Sequence, residues 1–477
     1  MTTEASVAIA AMVARCRVQR GAGGRTGSGP FGRLSSAPGR DGRSDLIALL
    51  VDKRSRRFRA VPISKVRSVA ILGGGPGGAA LGIYLARAGV KVVIFTQPKR
   101  PVIVIGESMV PAIVPILREL GVESEVAGYS MRKTGATFVF NNSERLNIRF
   151  DDVRGARTEY SYNVPRDRFD ATLIAAAARA GALVVERPAR LARVAGTDRL
   201  ELAPEALAAG MQVWGQGGPD FIVDAAGRKR VAARLLDLPF EEGPRRDVAL
   251  HAHHTGVDVE IEGNVHTDRL DHGWAWRIPL PGRVSVGVVV DAAALADCGS
   301  TMEEQYDTFL RRDSVMQRWI APATRVTPVV RYTNYQLSSA RGFGENWALV
   351  GDAFGFIDPV FSSGLLVAFE SARDLARALL HGGDEALREW ESGVLLRLQS
   401  WRRVVDIFYN GRLFTLLKMG DHIRRTVPGK MVDWHFRKHM PRVFTGENVT
   451  HWYSLGLLTF MAQHALWHND PDALRIA

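Results

Sequence analysis

A glycine-rich turn held between two apolar strands constrains this chain more than any other stretch. Val69–Leu72 is an apolar run of strand length that ends in Gly73-Gly74-Gly75-Pro76-Gly77-Gly78. The turn fits G-x-G-x-x-G, with Gly73, Gly75 and Gly78 at the glycine positions. Helix-forming residues follow from Ala79 to Ala88, Gly89 supplies a stop, and Lys91–Phe95 is a second, β-branched strand. This is the arrangement of a dinucleotide site. The first glycine makes the tight turn, the second lets the backbone approach a pyrophosphate, and the third lets helix and strand pack closely. The N–H groups and dipole at the helix start then favour phosphate charge. One position departs from the pattern. Phe95-Thr96-Gln97 stands where an acidic residue ordinarily meets the adenosine ribose, so the Thr96 hydroxyl is the candidate for part of that role. The departure does not separate FAD from a nicotinamide nucleotide.

The chain has 477 residues, enough for a large core with two or three substructures. Its net charge of +12 resembles a nucleic-acid signal until it is located. Residues 1–67 hold fourteen Lys/Arg against four Asp/Glu, a net of +10, which leaves +2 for the remaining 410 residues. The basicity belongs to the leader. Residues 1–62 are rich in Gly, Arg and Ser, a composition expected to be disordered, and no nucleic-acid partner is expected. Cys16 and Cys298 form neither a disulfide framework nor a metal spacing, and the twelve histidines show no ligand spacing. No metal is expected, and a cytoplasmic location fits the cysteine usage. No apolar run reaches the ~20 residues that span a bilayer.

Further along, Gly106-Glu107-Ser108-Met109-Val110-Pro111 opens a loop into a helix over Ala112–Leu120, and Met131–Phe140 reads as a strand. A second helix is expected over Phe169–Ala180, a strand-to-turn junction at Phe221–Gly227, and a mixed-sheet wall reaching Val290. Trp347–Val350 is a buried-type strand that delivers Asp352 to a turn, where its carboxylate can accept hydrogen bonds from ribityl or ribose hydroxyls. A helix follows over Gly364–His381, and residues 385–477 are helical by pattern and dense in aromatics. The expected organisation is a basic leader (1–62), an interleaved FAD-binding and substrate-sheet module (63–380) and a helical C-terminal region (381–477). The fold class is α/β: a Rossmann-like nucleotide domain, a mixed β-sheet wall and an aromatic-rich helical end.

Together the glycine turn, Arg166 within Val164-Pro165-Arg166-Asp167-Arg168-Phe169-Asp170, and Gly351-Asp352 resemble the FAD-binding fold of aromatic hydroxylases. Two further strings narrow the likeness. Trp274-Ala275-Trp276-Arg277-Ile278-Pro279 is W-x-W-x-I-P, and Phe356–Gly364 is F-x-x-P-x-x-S-x-G. Both resemble signatures of flavin-dependent halogenases, over roughly residues 66–420. The resemblance implies that reduced FAD and dioxygen oxidise halide to hypohalous acid; with one dinucleotide site evident in strand–helix context, a separate flavin reductase is expected to supply the reduced FAD. It implies that Lys133, in Lys133-Thr134-Gly135-Ala136-Thr137-Phe138, is the catalytic lysine. Desolvation can lower a lysine pKa toward neutrality and make its amine available to hypohalous acid. The resemblance also places FAD against Ser108, Thr96, Arg166, Asp352 and Pro359, and halide against the backbone of Ser363 and Gly364. Trp274, Trp276 and Phe361 fall in the substrate region, with the two tryptophans obstructing hydroxylase chemistry or simply packing the wall.

Phe361 stands where tryptophan-type members carry a glutamate, so a carboxylate that assists halogenation or proton loss is missing. The ring must be activated by other means, which points to a phenol or pyrrole, free or carrier-bound, and away from free tryptophan. Two other readings stay open on the sequence: an FAD-dependent aromatic hydroxylase, and a non-catalytic flavoprotein that uses its basic leader as a binding arm.

Overall fold

In the computed structural model the described residues are 66–98, 103–140, 144–153, 155–270, 272–333, 336–416, 427–447, 449–464 and 474–476. The chain divides into two units, Met1–Val61 and Pro62–Ala477. The first, and with it the basic leader, lies outside the described residues.

Hydrophobic runs buried on both faces build a five-stranded parallel sheet, in the order Trp347–Leu349, Phe221–Asp224, Ser68–Leu72, Lys91–Phe95, Leu183–Val185. The central strand Ser68–Leu72 is buried at every position. The helices Pro76–Arg87, Arg166–Arg179 and Gly364–His381 cover the sheet. Phe169 meets Phe369 edge-to-face at 6.2 Å, and a Cβ on Gly77 would come within 3.5 Å of the Ala368 methyl. The helix Arg166–Arg179 starts three residues before the expected Phe169, because Pro165 takes the N-cap position and fixes the turn into it.

A second, eight-stranded mixed sheet stands beside the first. Its middle is an antiparallel set of Val248–Thr255, Arg283–Val290, Gly273–Leu280 and Val265–Leu270, and Val265–Leu270 pairs in parallel with Gly135–Val139. The expected strand Met131–Phe140 is therefore two strands. Met131–Lys133 leaves the large sheet and pairs with Ser161–Asn163, while Gly135–Val139 stays in it. Strand alternation gives the sheet two distinct faces. Ala249, Trp274, Trp276 and Ile278 face a cavity that the glycine turn also lines. Val248, Leu250, Ala252, Val286 and Val288 build a separate core against Tyr306, Phe309 and Trp319. Within that rear layer Arg277 makes two 2.8 Å hydrogen bonds to Asp268, both side chains being fully buried, and its guanidinium lies 4.0 Å from the centre of the Trp319 ring.

The C-terminal helices pack on the same body. Trp390 donates to the Ser371 carbonyl at 2.9 Å, and Trp401, Phe408, Tyr409 and Phe414 are buried. Trp434 and Trp452 are exposed, whereas Phe436 and Trp467 lie where side chains are not described. Among the described residues no helix is long and apolar enough to cross a membrane.

Candidate active site

The C-terminal ends of the parallel strands and the tryptophan face of the mixed sheet enclose a cavity of about 580 Å³, within the usual size of a ligand site. Gly73 and Gly75 lie at one end. Gly73 has φ +117°, and a Cβ there would sit 2.2 Å from the Ala225 carbonyl oxygen. A Cβ on Gly78 would meet the Gly73 carbonyl at 2.0 Å, so this third glycine serves helix–strand packing and does not line the cavity. Around Gly75, by contrast, a Cβ would meet nothing within 4 Å. The turn thus presents bare backbone to open space at the start of the helix Pro76–Arg87, whose N-cap has no side-chain hydrogen bond. Thr96, Gln97 and Ala225–Gly227 line the same end. Asp224 fixes that last turn by accepting from the N–H groups of Ala226 at 3.0 Å and Ala232 at 2.7 Å.

Midway along the cavity Arg166 and Asp352 come together. Arg166 is held by Asp170 at 3.0 Å and by the Ile105 carbonyl at 2.6 Å. The Asp352 carboxylate has no hydrogen-bond partner among the described residues. Burial pushes its pKa up to about 6, against the pull of Arg166 and Arg228. It is an acceptor oriented by charge alone, ready for ligand hydroxyls. Arg228, which donates to the Thr333 carbonyl and lies 5.1 Å from the Tyr332 ring centre, also lines the cavity.

Trp274, Trp276 and Pro359 wall the far end. Beyond it the loop Asp358–Ser363 turns into the helix Gly364–His381. Ser362 has φ +55°, a left-handed conformation unusual outside glycine. A small hollow of about 10 Å³ opens behind this loop, between Asp352, Phe356, Ser363, Gly364 and Trp401. Such a hollow admits about one water-sized body, and the first N–H groups of an 18-residue helix border it.

Lys133 lies off the cavity. Segment 107–109 runs beside Ser161–Asn163, with Met109 N–H donating to Tyr162 O at 3.0 Å and Val164 N–H to Glu107 O at 2.7 Å. Because Met131–Lys133 pairs with the same strand, Lys133 is carried across to Ser108. Its Nζ donates to Ser108 Oγ and to the Met109 carbonyl, each at 2.9 Å. The side chain is 3% exposed. Burial with no carboxylate beside it lowers the pKa of the amine to about 7. Ser108 itself lines the cavity, so one hydroxyl stands between the amine and that space.

A family model described as tryptophan halogenase matches residues 68–152 and 127–412. The chain belongs to the flavin-dependent halogenases. It is 25% identical to a 1H-pyrrole-2-carbonyl-[peptidyl-carrier protein] chlorinase of Pseudomonas fluorescens, over 72% of this chain and 83% of that relative. It is 30% identical to a tryptophan 2-halogenase of Chondromyces crocatus, over 64% of this chain but only 59% of that relative's length. A solved point mutant of the halogenase PltM in complex with FAD shares the fold, with a TM-score of 0.65 at 17% identity, over 86% of this chain and 94% of that one.

The donor set fits the FAD that this halogenase family uses. An uncapped helix start with an open glycine suits a pyrophosphate, the half-buried, unpartnered Asp352 carboxylate suits ribityl hydroxyls, and an apolar indole wall suits a planar ring. Of the candidates from sequence, Gly73, Gly75, Thr96, Ser108, Arg166, Asp352, Pro359, Trp274 and Trp276 share the large cavity, and Gly364 lines both spaces. Ser363 borders the hollow alone. Phe361 differs from expectation. It is buried among Trp401, Phe408 and Phe444, at 6.1, 5.7 and 5.7 Å between ring centres, and lines neither space. Sequence reasoning missed Arg228, Tyr332, Ser362 and the buried pair of Glu107 with His253, whose Oε1 and Nε2 are 2.8 Å apart. The His251-x-His253 alternation was the available signal for that pair. Nothing local marked the others. Among the described residues no group of His, Cys, Asp and Glu is arranged to hold a metal ion.

Proposed function

We propose that this halogenase installs chloride or bromide on an electron-rich aromatic, a phenol or a pyrrole, with Lys133 as the residue that directs the halogen. The observation that carries the reading is the Lys133 amine: buried, free of any carboxylate, near neutrality in pKa, and one hydroxyl away from the cavity. Bound reduced FAD, with dioxygen, supplies the two-electron oxidation that turns halide into an electrophilic halogen. The chain's own residues do the rest. Gly73, Gly75 and Thr96 hold the nucleotide end, while Arg166 and Asp352 orient the middle. Trp274 and Trp276 close the ring end against water. Ser363 and Gly364 hold halide by backbone N–H groups, and a neutral Lys133 either hydrogen-bonds hypohalous acid or attacks its halogen, forming the N–halogen bond as the halogen–oxygen bond breaks and the hydroxide leaves as water with an amine proton. The flavin reaches the site already reduced by a separate reductase, since among the described residues Gly73–Gly78 is the one G-x-G-x-x-G string set between a strand and a helix.

The phenol or pyrrole assignment rests on the sequence position of Phe361, where tryptophan-type members carry a glutamate: the position provides no carboxylate, and the ring itself is drawn into the core, so the substrate must bring its own activation. Similarity to a chlorinase of carrier-bound pyrrole supports presentation on a carrier protein; similarity to a tryptophan 2-halogenase points the other way. The test is mass spectrometry of products formed with reduced FAD and chloride or bromide, from phenols, pyrroles and tryptophan, free and carrier-bound. Halogenated phenol or pyrrole with little halotryptophan is the expected result. Efficient, regioselective halogenation of free tryptophan contradicts the assignment.

A further inference from the structure

The loop between Phe356 and Gly364 carries Pro359 on the cavity wall, Ser362 in strained backbone, and Ser363-Gly364 at the hollow. Asp358, inside that loop, borders neither space and is 1% exposed. Its Oδ1 accepts the Val360 N–H at 3.0 Å, which folds the loop back on itself. Its Oδ2 accepts the Tyr409 hydroxyl at 3.0 Å and, more distantly, Gln336 Nε2 at 3.4 Å. Tyr409 in turn accepts the Trp274 indole N–H at 2.8 Å. Trp274, Tyr409 and Asp358 therefore form a chain of donors pointing one way, in which each bond polarises the next. Arg245 lies 3.9 Å from the Tyr409 ring centre and pairs with Asp247, so the chain is backed by charge as well as packing.

The two ends of this chain are the halide loop and the indole wall, elements separated by more than eighty residues of sequence. Their junction is Tyr409, the last residue of the helix Asp384–Tyr409. A loop that keeps a non-glycine residue at φ +55° needs its surroundings to hold it there. Removing the hydroxyl leaves the Trp274 N–H without this acceptor and leaves the Asp358 carboxylate with only a long bond on Oδ2. Both are costly inside a protein.

We propose that Tyr409 and Asp358 are positioning residues, through which the end of the C-terminal helix holds Pro359–Gly364 and the Trp274 indole in one register for halide binding. This rests on the halogenase reading above and extends it to residues that touch neither flavin nor halide. Burial raises the Asp358 pKa to about 7, against the hydrogen bonds from Val360 and Tyr409. The carboxylate thus depends on those donors to stay charged.

The test compares wild type, Tyr409→Phe and Asp358→Asn, each loaded with FAD. Chloride and bromide are titrated against the visible absorbance of the bound flavin, and halide KM and kcat are measured in parallel. Tyr409→Phe keeps the ring under Arg245 and removes only the hydroxyl. It is expected to weaken halide binding and raise halide KM by about tenfold, the loss of a hydrogen bond to a charged group, with FAD affinity within about twofold of wild type. Asp358→Asn keeps an acceptor for Val360 and is expected to lose less, about threefold on the same grounds. Halide binding by Tyr409→Phe within about twofold of wild type overturns the inference, as does an equal loss of FAD and halide affinity, which marks a general packing role. A Tyr409→Phe chain that does not fold leaves Asp358→Asn to decide, and unchanged halide affinity there overturns the proposal. Wild type that responds to halide but forms no halogenated product contradicts the proposed function and leaves this inference standing.

Discussion

Lys133 Nζ donates to two neutral oxygens, Ser108 Oγ and Met109 O, and to no carboxylate. Burial then works unopposed and brings the amine to about pH 7. Between about 7 and the ordinary lysine value the unfolded chain binds the proton and the folded chain does not, so stability rises with pH across that window. Below about 7 both states are protonated and the penalty of burying the charge is fully present. Lys133→Met should therefore stabilise the protein at pH 6 by a few kcal/mol and by much less at pH 10, measured by urea denaturation at both pH values. A gain of equal size at the two pH values contradicts the assignment of the pKa. In the proposed role the neutral amine is the useful form. The single-turnover rate of aryl halogenation should rise with pH through about 7 in wild type, and a rate that is flat from pH 6 to 8.5 contradicts the role. Asp352 makes the second residue-scale prediction. Asp352→Ala removes the unpartnered acceptor in mid-cavity and should weaken FAD binding by about tenfold, read by flavin fluorescence quenching, with the thermal midpoint little changed.

The strand Gly273–Leu280 shows how one element serves two purposes. Trp274, Trp276 and Ile278 face the cavity, and Arg277 faces the rear core, where it pairs with Asp268. A buried pair broken on one side leaves an uncompensated charge, so Arg277→Met should cost about 3–5 kcal/mol of unfolding free energy. The double variant Arg277→Met/Asp268→Leu should recover most of that loss, and a double variant no better than the single contradicts the account. Elements of this kind were legible because their signals are local: the glycine turn, the strand ending at Leu349 before Gly351-Asp352, and the helix Gly364–His381. What was not legible is set by contacts distant in sequence. Thr134 gives no sign that Lys133 leaves the large sheet, since that depends on Ser161–Asn163 offering it a partner. Phe361 looks like a substrate residue by position, but three aromatic neighbours from two C-terminal helices draw it into the core. The Ser108–Lys133 and Asp358–Tyr409 bonds join residues 25 and 51 positions apart, and no periodicity reports them.

Over the described residues of Pro62–Ala477, the site is a joint product of two sheets and the C-terminal helices. The parallel sheet offers strand ends and a helix start to a nucleotide, the common location of ligands in such sheets. The mixed sheet turns an indole face toward it, and the helices fix the far loop. The amine stands outside the cavity, behind Ser108. Under the proposed function Lys133 governs the fate of the halogen and not its formation. The most direct measurement is the yield of halogenated phenol or pyrrole per reduced FAD consumed, by mass spectrometry, in wild type and Lys133→Ala under saturating halide. The account predicts halogenated product from wild type, and from Lys133→Ala unchanged FAD binding and oxidation with essentially no halogenated aromatic. Near-normal, regioselective halogenation by Lys133→Ala, or hydroxylated product independent of halide from wild type, contradicts it.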